Sequence, residues 1–227
     1  MRETQLSDRI LVLAAHPDDE SIGCGASIAR WATEGHEVAV WFATDGVSSR
    51  REQPETAEER LTASRRALAL LGVEALYTDV FPDNAMDTVS RLAICQAMER
   101  AVSDFHPTWI VTHSQADLNV DHRIVGECAA VVSRPIPGQS IKSVWHFEIP
   151  SSTGWFGDGQ AAFSPTVFVD VSDYWPVKLQ ALHAYGPEIP AWPHARSAEA
   201  LEALARFRGS TVGVVTAEAF EISWQVT

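Results

Sequence analysis

The chain has 227 residues, of which 46% are hydrophobic and 21% charged, the balance of an ordinary globular protein able to bury a full core. Lys and Arg total 17 against 30 Asp and Glu, a net charge of −13. Such a surface repels a phosphate backbone, so nucleic acid is not an expected partner. No apolar run reaches the roughly 18–20 residues of a membrane span. The first residues lack the charged, apolar and cleavage segments of a signal peptide. The expectation is a cytoplasmic chain without integral membrane association. Cys24, Cys95 and Cys128 are too few and too scattered for a disulfide framework and read as small buried apolar groups.

Residues 10–14 form a continuous apolar run that stops at His16-Pro17. Runs at 37–43 and 109–112 stop at Thr44-Asp45-Gly46 and at His113. Short runs apolar on both faces suit parallel strands covered by helices. Helices are predicted at 21–34 and 57–71, each followed or closed by glycine (Gly35, Gly72). The three-and-four spacing of Leu92, Cys95, Met98, Val102 and Phe105 predicts a helix over 88–105, and a shorter one follows at 122–132. Strands are predicted at 143–149 and 166–171, helices at 174–185 and 197–207, and a proline-rich loop at 186–194. Alternating strands and helices predict an α/β fold with a mainly parallel sheet flanked by helices. No linker divides the chain, so one domain over 1–227 is expected.

Two polar constellations fall at the carboxyl ends of predicted strands, where open α/β sheets bind ligands. The first is His16-Pro17-Asp18-Asp19-Glu20. One imidazole and three carboxylates in five residues suit a divalent metal, zinc above all. His16 and Asp19, three apart around a proline turn, can converge on one ion, with Asp18 directed at its water. The alternative is an N-cap, Asp18 or Asp19 closing the start of the next helix. The second constellation runs from His113 to His122 and also leads into a helix. A third ligand from here leaves an open fourth position, the pattern of a catalytic zinc, and His122 is the candidate. Asp121 reads as an orienter of a ligand or as a helix cap.

His-Pro-Asp-Asp-Glu after an N-terminal strand, followed by a distal Asp121-His122 opening a helix, resembles the PIG-L/LmbE family of zinc-dependent N-deacetylases. The resemblance implies a Rossmann-like fold and hydrolysis of an N-acetylglucosamine-type amide. It implies zinc (Zn2+) held by His16, Asp19 and His122, with Asp18 as general base. The partner it implies is a small-molecule or glycoconjugate substrate carrying an N-acetyl amino sugar. Many members carry His-x-Asp-His in the second motif, where the first histidine helps hold the oxyanion. This chain has Asn119-Val120-Asp121-His122. Asn119 therefore stands in that place, and three readings stay open: Asn119 as a neutral donor, His113 as its substitute, or zinc acting with less help.

Further candidates surround these motifs. Asp45, after the second strand, is read as pocket floor or sugar contact, with a plain turn as the alternative. Arg50 and Arg51 are candidate holders of a phosphate or sugar group. Asp83 or Asn84, after Phe81-Pro82, is placed to reach substrate. Trp155 and Phe156 can stack on a sugar face, and His194 and Arg196 can close the mouth of the site. Gly23 and Gly25 lack the third glycine of a dinucleotide fingerprint, which disfavours a nucleotide-binding oxidoreductase. The competing readings are the same fold hydrolysing another acyl-amide of secondary metabolism, and a non-catalytic sugar-binding or regulatory module.

Overall fold

Residues Ile10–Ala14 have no solvent exposure at all, and their side chains alternate between two separate cores. They belong to β1 (Arg9–Ala14), an interior strand of the sheet. The computed structural model describes residues 7–50, 52, 55–73, 75–155 and 162–227; Arg51 and Phe156 lie outside them. β1 leads to α1 (Asp19–Thr33), β2 (Glu37–Thr44), α2 (Ala57–Leu70), β3 (Ala75–Phe81), α3 (Arg91–Phe105), β4 (Trp109–His113), α4 (Val120–Val132) and β5 (Ser143–Phe147). Then come β6 (Val167–Asp170), α5 (Trp175–Ala184), α6 (Ala198–Ser210) and β7 (Ala217–Gln225). The strand order is β3-β2-β1-β4-β5-β7-β6. β3 to β5 are parallel; β7 runs antiparallel to both β5 and β6.

Each face of the sheet is covered, as a parallel sheet requires. Ile10, Val12 and Ala14 face the core built with α1, α2, α5 and α6; Leu11, Leu13 and Ala15 face the core built with α3 and α4. The result is a single α/β domain with a mixed, mainly parallel sheet of Rossmann-like type. The three cysteines are free and buried. Gly35 and Gly72 follow the ends of α1 and α2 with φ of +91° and +80°, the left-handed closing position that suits glycine. Among the described residues, no helix is long and apolar enough to cross a membrane.

Two strands were not read from the sequence. β3 is an edge strand whose residues are mostly half-exposed, so it carries no apolar run. In β7 the apolar pattern is broken by Glu218, which is nevertheless buried. Its role is local. α1 departs from helical geometry at Cys24 (φ −146°, ψ 21°). The Glu218 carboxylate accepts from the amides of Ala26 (3.1 Å) and Ser27 (2.7 Å), just past the break. Lys178 Nζ donates to Ile22 O (2.7 Å) and to Glu218 Oε1 (2.6 Å). Gly23 sits at this kink because a Cβ there would stand 2.2 Å from the Phe147 ring. That contact, rather than phosphate binding, accounts for the glycine.

Candidate metal centre and catalytic pocket

The chain winds from β1 outward through β2 to β3, then crosses back to place β4 on the other side of β1. The direction of winding therefore reverses between β1 and β4, and a crevice opens at their carboxyl ends. The register pairs Leu13 with Thr112, which sets the His16–Glu20 turn beside His113. The Ala15 amide donates to His113 Nε2 at 3.0 Å and ties the two turns together. A pocket of about 360 Å³ fills the crevice.

His16 Nδ1, Asp19 Oδ2 and His122 Nε2 form a triangle at its base. The sides are 3.0 Å (His16–Asp19), 3.3 Å (His16–His122) and 3.4 Å (His122–Asp19). Two ligands about 2.0–2.1 Å from a common tetrahedral zinc stand roughly 3.3 Å apart, so the donor set fits that ion in spacing and chemistry. All three residues are buried.

Each histidine is backed by carboxylates on its far nitrogen. His16 Nε2 lies 3.3 Å from both Asp83 Oδ1 and Asp121 Oδ2. Asp121 is fixed in turn by the amides of Asn84 (2.7 Å) and Met86 (3.1 Å). His122 Nδ1 lies 3.2 Å from Asp117 Oδ2, off the line of a good hydrogen bond. Asp117 is held by the hydroxyls of Ser152 (3.0 Å) and Thr153 (2.6 Å). Carboxylate partners of this kind set the tautomer and orientation of ligating histidines. Burial lowers the pKa of His122, but Asp19 and Asp117 more than reverse this and carry it to about 9. Burial likewise opposes protonation of His16, which its carboxylate neighbours still hold well above the ordinary histidine range. Burial raises Asp19, and the three nearby imidazoles outweigh it and keep the carboxyl well below its usual range.

Asp18 occupies the position before α1 with φ 137°, a conformation that costs a non-glycine residue of order 1–3 kcal/mol. Its side chain does not cap the helix. Instead Glu20 reaches back, its carboxylate accepting from the Asp18 amide (3.1 Å), Ser21 Oγ (2.6 Å) and Tyr185 OH (2.7 Å). The Asp18 carboxylate lines the pocket. Burial first, and then the Asp19 charge, push it up to about 7 against the pull of Arg196, Arg60 and His16.

Asn119 is the N-cap of α4: its Oδ1 accepts from the amides of Asp121 (2.8 Å) and His122 (3.4 Å). Its Nδ2 donates to Asn84 Oδ1 (3.0 Å) at the pocket wall. His113 lies behind the wall rather than on it. It has no exposure and stacks on His122 with ring centroids 4.1 Å apart. Burial, reinforced by His122, holds it well below the usual histidine range, as a neutral ring accepting from Ala15.

The remaining candidates divide. Arg50, Asp83, Asn84 and Arg196 line the pocket. Asp83 Oδ2 accepts from Ser49 N (3.0 Å) and Oγ (2.7 Å); burial raises its pKa, but His16 and Ser49 bring it down to about 2. Both nitrogens of Arg50 donate to Glu188, which also binds Arg60. Asp45 does not line the pocket and closes a turn, accepting from the amides of Val47 and Ser48 (3.0 Å each). Trp155 is 61% exposed, next to the lining segment 149–152, with its ring nitrogen on Pro150 O (2.8 Å). His194 is exposed and accepts from the Arg196 amide (3.1 Å). Sequence reasoning missed Asp117, Arg60 and Glu188. The acidic neighbourhood of His122 was a signal for Asp117; nothing marked a pair as distant as Arg60 and Glu188.

A profile of the PIG-L family, described as GlcNAc-PI de-N-acetylase, matches residues 11–133. The chain is 34% identical over 182 residues to an uncharacterized deacetylase of Escherichia coli K12, YaiS, spanning 76% of this chain and 88% of that one. Among solved structures it is similar to the N,N'-diacetylchitobiose deacetylase of Pyrococcus horikoshii, with 21% identity, a TM-score of 0.78, and coverage of 96% and 84%. It is also similar to GalB, the 4-carboxy-2-hydroxymuconate hydratase of Pseudomonas putida KT2440, with 21% identity, a TM-score of 0.74, and coverage of 96% and 98%. The chain belongs to the PIG-L family. It is a hydrolase of that family, with a His/Asp site of the kind used by zinc-dependent deacetylases.

Proposed function

We propose that this PIG-L family member removes the acetyl group from an N-acetylglucosamine-type substrate, with His16, Asp19 and His122 holding zinc and Asp18 as general base. The observation that carries the reading is the donor triangle with the Asp18 carboxylate beside it in one pocket. The family description, and the diacetylchitobiose substrate of the Pyrococcus relative, support the substrate class. The hydratase likeness shows that one fold hosts different chemistries, so the site and not the fold bears the argument.

Zinc, when bound, acidifies water and polarises an acyl oxygen. The chain's own residues do the rest. Asp18 accepts the proton as water attacks the acetyl carbon. Asp18, in the pocket beside the donor triangle, is placed for that role and for returning the proton to the departing amine. Asn119 Nδ2 is the neutral donor for the developing oxyanion, released from Asn84 when substrate enters. His113 supports this from behind, fixing Ala15 and the plane of His122. Arg50 and Asp83 sit on the wall as candidate hydroxyl contacts. The products are acetate and an amino sugar.

The test is acetate release from N,N'-diacetylchitobiose and other N-acetylglucosamine conjugates by the zinc-loaded chain. Loss of release in Asp18→Asn with zinc retained supports the reading. Unchanged release in that variant removes Asp18 as base. Bound metal without release from any N-acetyl sugar, but with release of other acids from acyl-amides, moves the substrate class.

A further inference from the structure

Among the described residues, the Asp18 carboxylate accepts one hydrogen bond, from Arg196 NH1 to Oδ2 at 3.3 Å. The two residues are 178 positions apart, and Arg196 lies outside the stretch matched by the family profile. The backbone of Asp18 is strained and its side chain caps nothing, so neither local structure nor the helix fixes where the carboxylate points.

The segment that carries Arg196 is anchored to the same turn by a second route. Glu188 binds Arg60, a guanidinium with 1% side-chain exposure. Arg60 NH1 donates to Pro17 O at 3.1 Å, one residue before Asp18. Glu188 thus registers the 186–197 segment against Pro17, and Arg196 reaches Asp18 from a fixed distance. Arg196 Nε is buried without a partner among the described residues. A guanidinium placed for stability alone would satisfy that donor, because an unsatisfied buried donor is costly. Its position is explained by what it holds.

We propose that Arg196 is a positioning residue for Asp18: its guanidinium fixes Oδ2 and leaves Oδ1, which has no partner among the described residues, for the attacking water. This rests on the reading of Asp18 as general base. The hydrogen bond of Arg196 in the pocket is to Asp18 Oδ2, so in this role it acts through Asp18 on turnover rather than on substrate affinity.

The experiment uses the zinc-loaded full chain with N,N'-diacetylchitobiose as the amide probe and acetate release as the readout. In Arg196→Ala, kcat falls on the order of 10-fold to 100-fold, a share of the ~10²–10⁴ that a general base supplies. KM and zinc content stay within about twofold, and Arg196→Lys or added methylguanidinium restores part of the rate. In the Asp18→Asn background, Arg196→Ala has no further effect on kcat. A raised KM at unchanged kcat, or a further loss in the Asp18→Asn background, overturns the proposal. Full activity of Asp18→Asn overturns the reading of Asp18 instead. Should the wild type leave this probe uncleaved, a double-mutant cycle of Arg196→Ala and Asp18→Asn in thermal unfolding decides without substrate. Non-additive shifts in Tm support the positioning contact, and additive shifts overturn it.

Discussion

Nδ1 of His16 and Nε2 of His122 face each other at 3.3 Å, although the residues are 106 positions apart in sequence. Asp19 Oδ2 closes the triangle, and carboxylates stand behind both rings. Convergence of three donors with their outer partners already in place is the arrangement of a preformed metal site.

His122→Ala therefore reduces bound zinc well below one per chain, measured by elemental analysis after dialysis. Asp117→Asn keeps the ligand but loses its charged backing, and zinc affinity falls about 10-fold to 100-fold. Unchanged zinc content in His122→Ala moves the third ligand elsewhere.

Zinc binding is also a proton exchange. His122 titrates at about 9 before a cation enters, and His16 is raised as well. Zinc must displace those protons, so apparent affinity rises with pH and levels off above the raised values. One proton displaced per ion makes Kd fall at least ~100-fold between pH 6 and pH 8. Calorimetry in two buffers of different ionisation enthalpy measures the release directly. A binding enthalpy independent of buffer contradicts the protonated site.

Much of this centre was legible in the sequence because it comes from two short segments at the ends of β1 and β4. Apolar runs locate those strands, and the parallel order of the sheet makes them neighbours. The His-Pro-Asp-Asp-Glu turn places His16 and Asp19 on one point because Pro17 bends the chain between them. What escaped was contact between segments with no local signature. The Arg60–Glu188 pair joins α2 to the turn after α5. Tyr185 reaches Glu20, whose third-carboxylate role is to hold the Asp18 backbone rather than to bind metal. Asp45 shows a related ambiguity: an Asx turn and a pocket wall both call for an aspartate after a strand, and backbone direction decides for the turn.

Asn119 has two functions that one substitution to alanine confounds. Its oxygen caps the helix that carries His122, and its nitrogen faces the pocket. Asn119→Ala loses both, with about 1 kcal/mol of cap stability gone as well as the donor. Asn119→Asp keeps the capping oxygen and removes the donor. That variant retains zinc and stays close to the wild-type Tm, while kcat falls on the order of 10²-fold. Equal kcat in Asn119→Asp and wild type assigns the oxyanion to another group.

The Lys178–Glu218 pair, each side chain 4% exposed, is the chief polar support of the kink in α1. Lys178→Met leaves a buried carboxylate without its counter-ion and frees Ile22 O. The expected loss is about 3–5 kcal/mol, which lowers Tm by roughly 10 °C in a chain of this size. The double variant Lys178→Met/Glu218→Gln removes the stranded charge and recovers part of the loss. A Tm for Lys178→Met within a degree or two of wild type would show that the kink stands without the pair.

His146 does not line the pocket and gives the fold a pH dependence of its own. Its Nδ1 donates to His113 O at 2.8 Å, and its Nε2 accepts from Ser223 Oγ at 2.6 Å, so the neutral ring satisfies both neighbours. Burial pulls its pKa below 6.5, outweighing the opposing influence of the His113 carbonyl and Glu221. The folded value lies below the unfolded one, so the unfolded state binds the proton first as pH falls. The stability contributed by the neutral ring is present above the unfolded value near 6.5 and is lost progressively as pH falls from there through the folded value. His146→Gln keeps a donor and an acceptor but cannot titrate. Tm of the wild type and of this variant, followed from pH 8 to pH 5, should therefore differ by a constant amount above about pH 7. Below that, the wild type should lose more stability per pH unit than the variant. Parallel curves across the whole range would mean that His146 is protonated in the folded state as readily as in the unfolded one, and that its contact with Ser223 Oγ does not require the neutral ring.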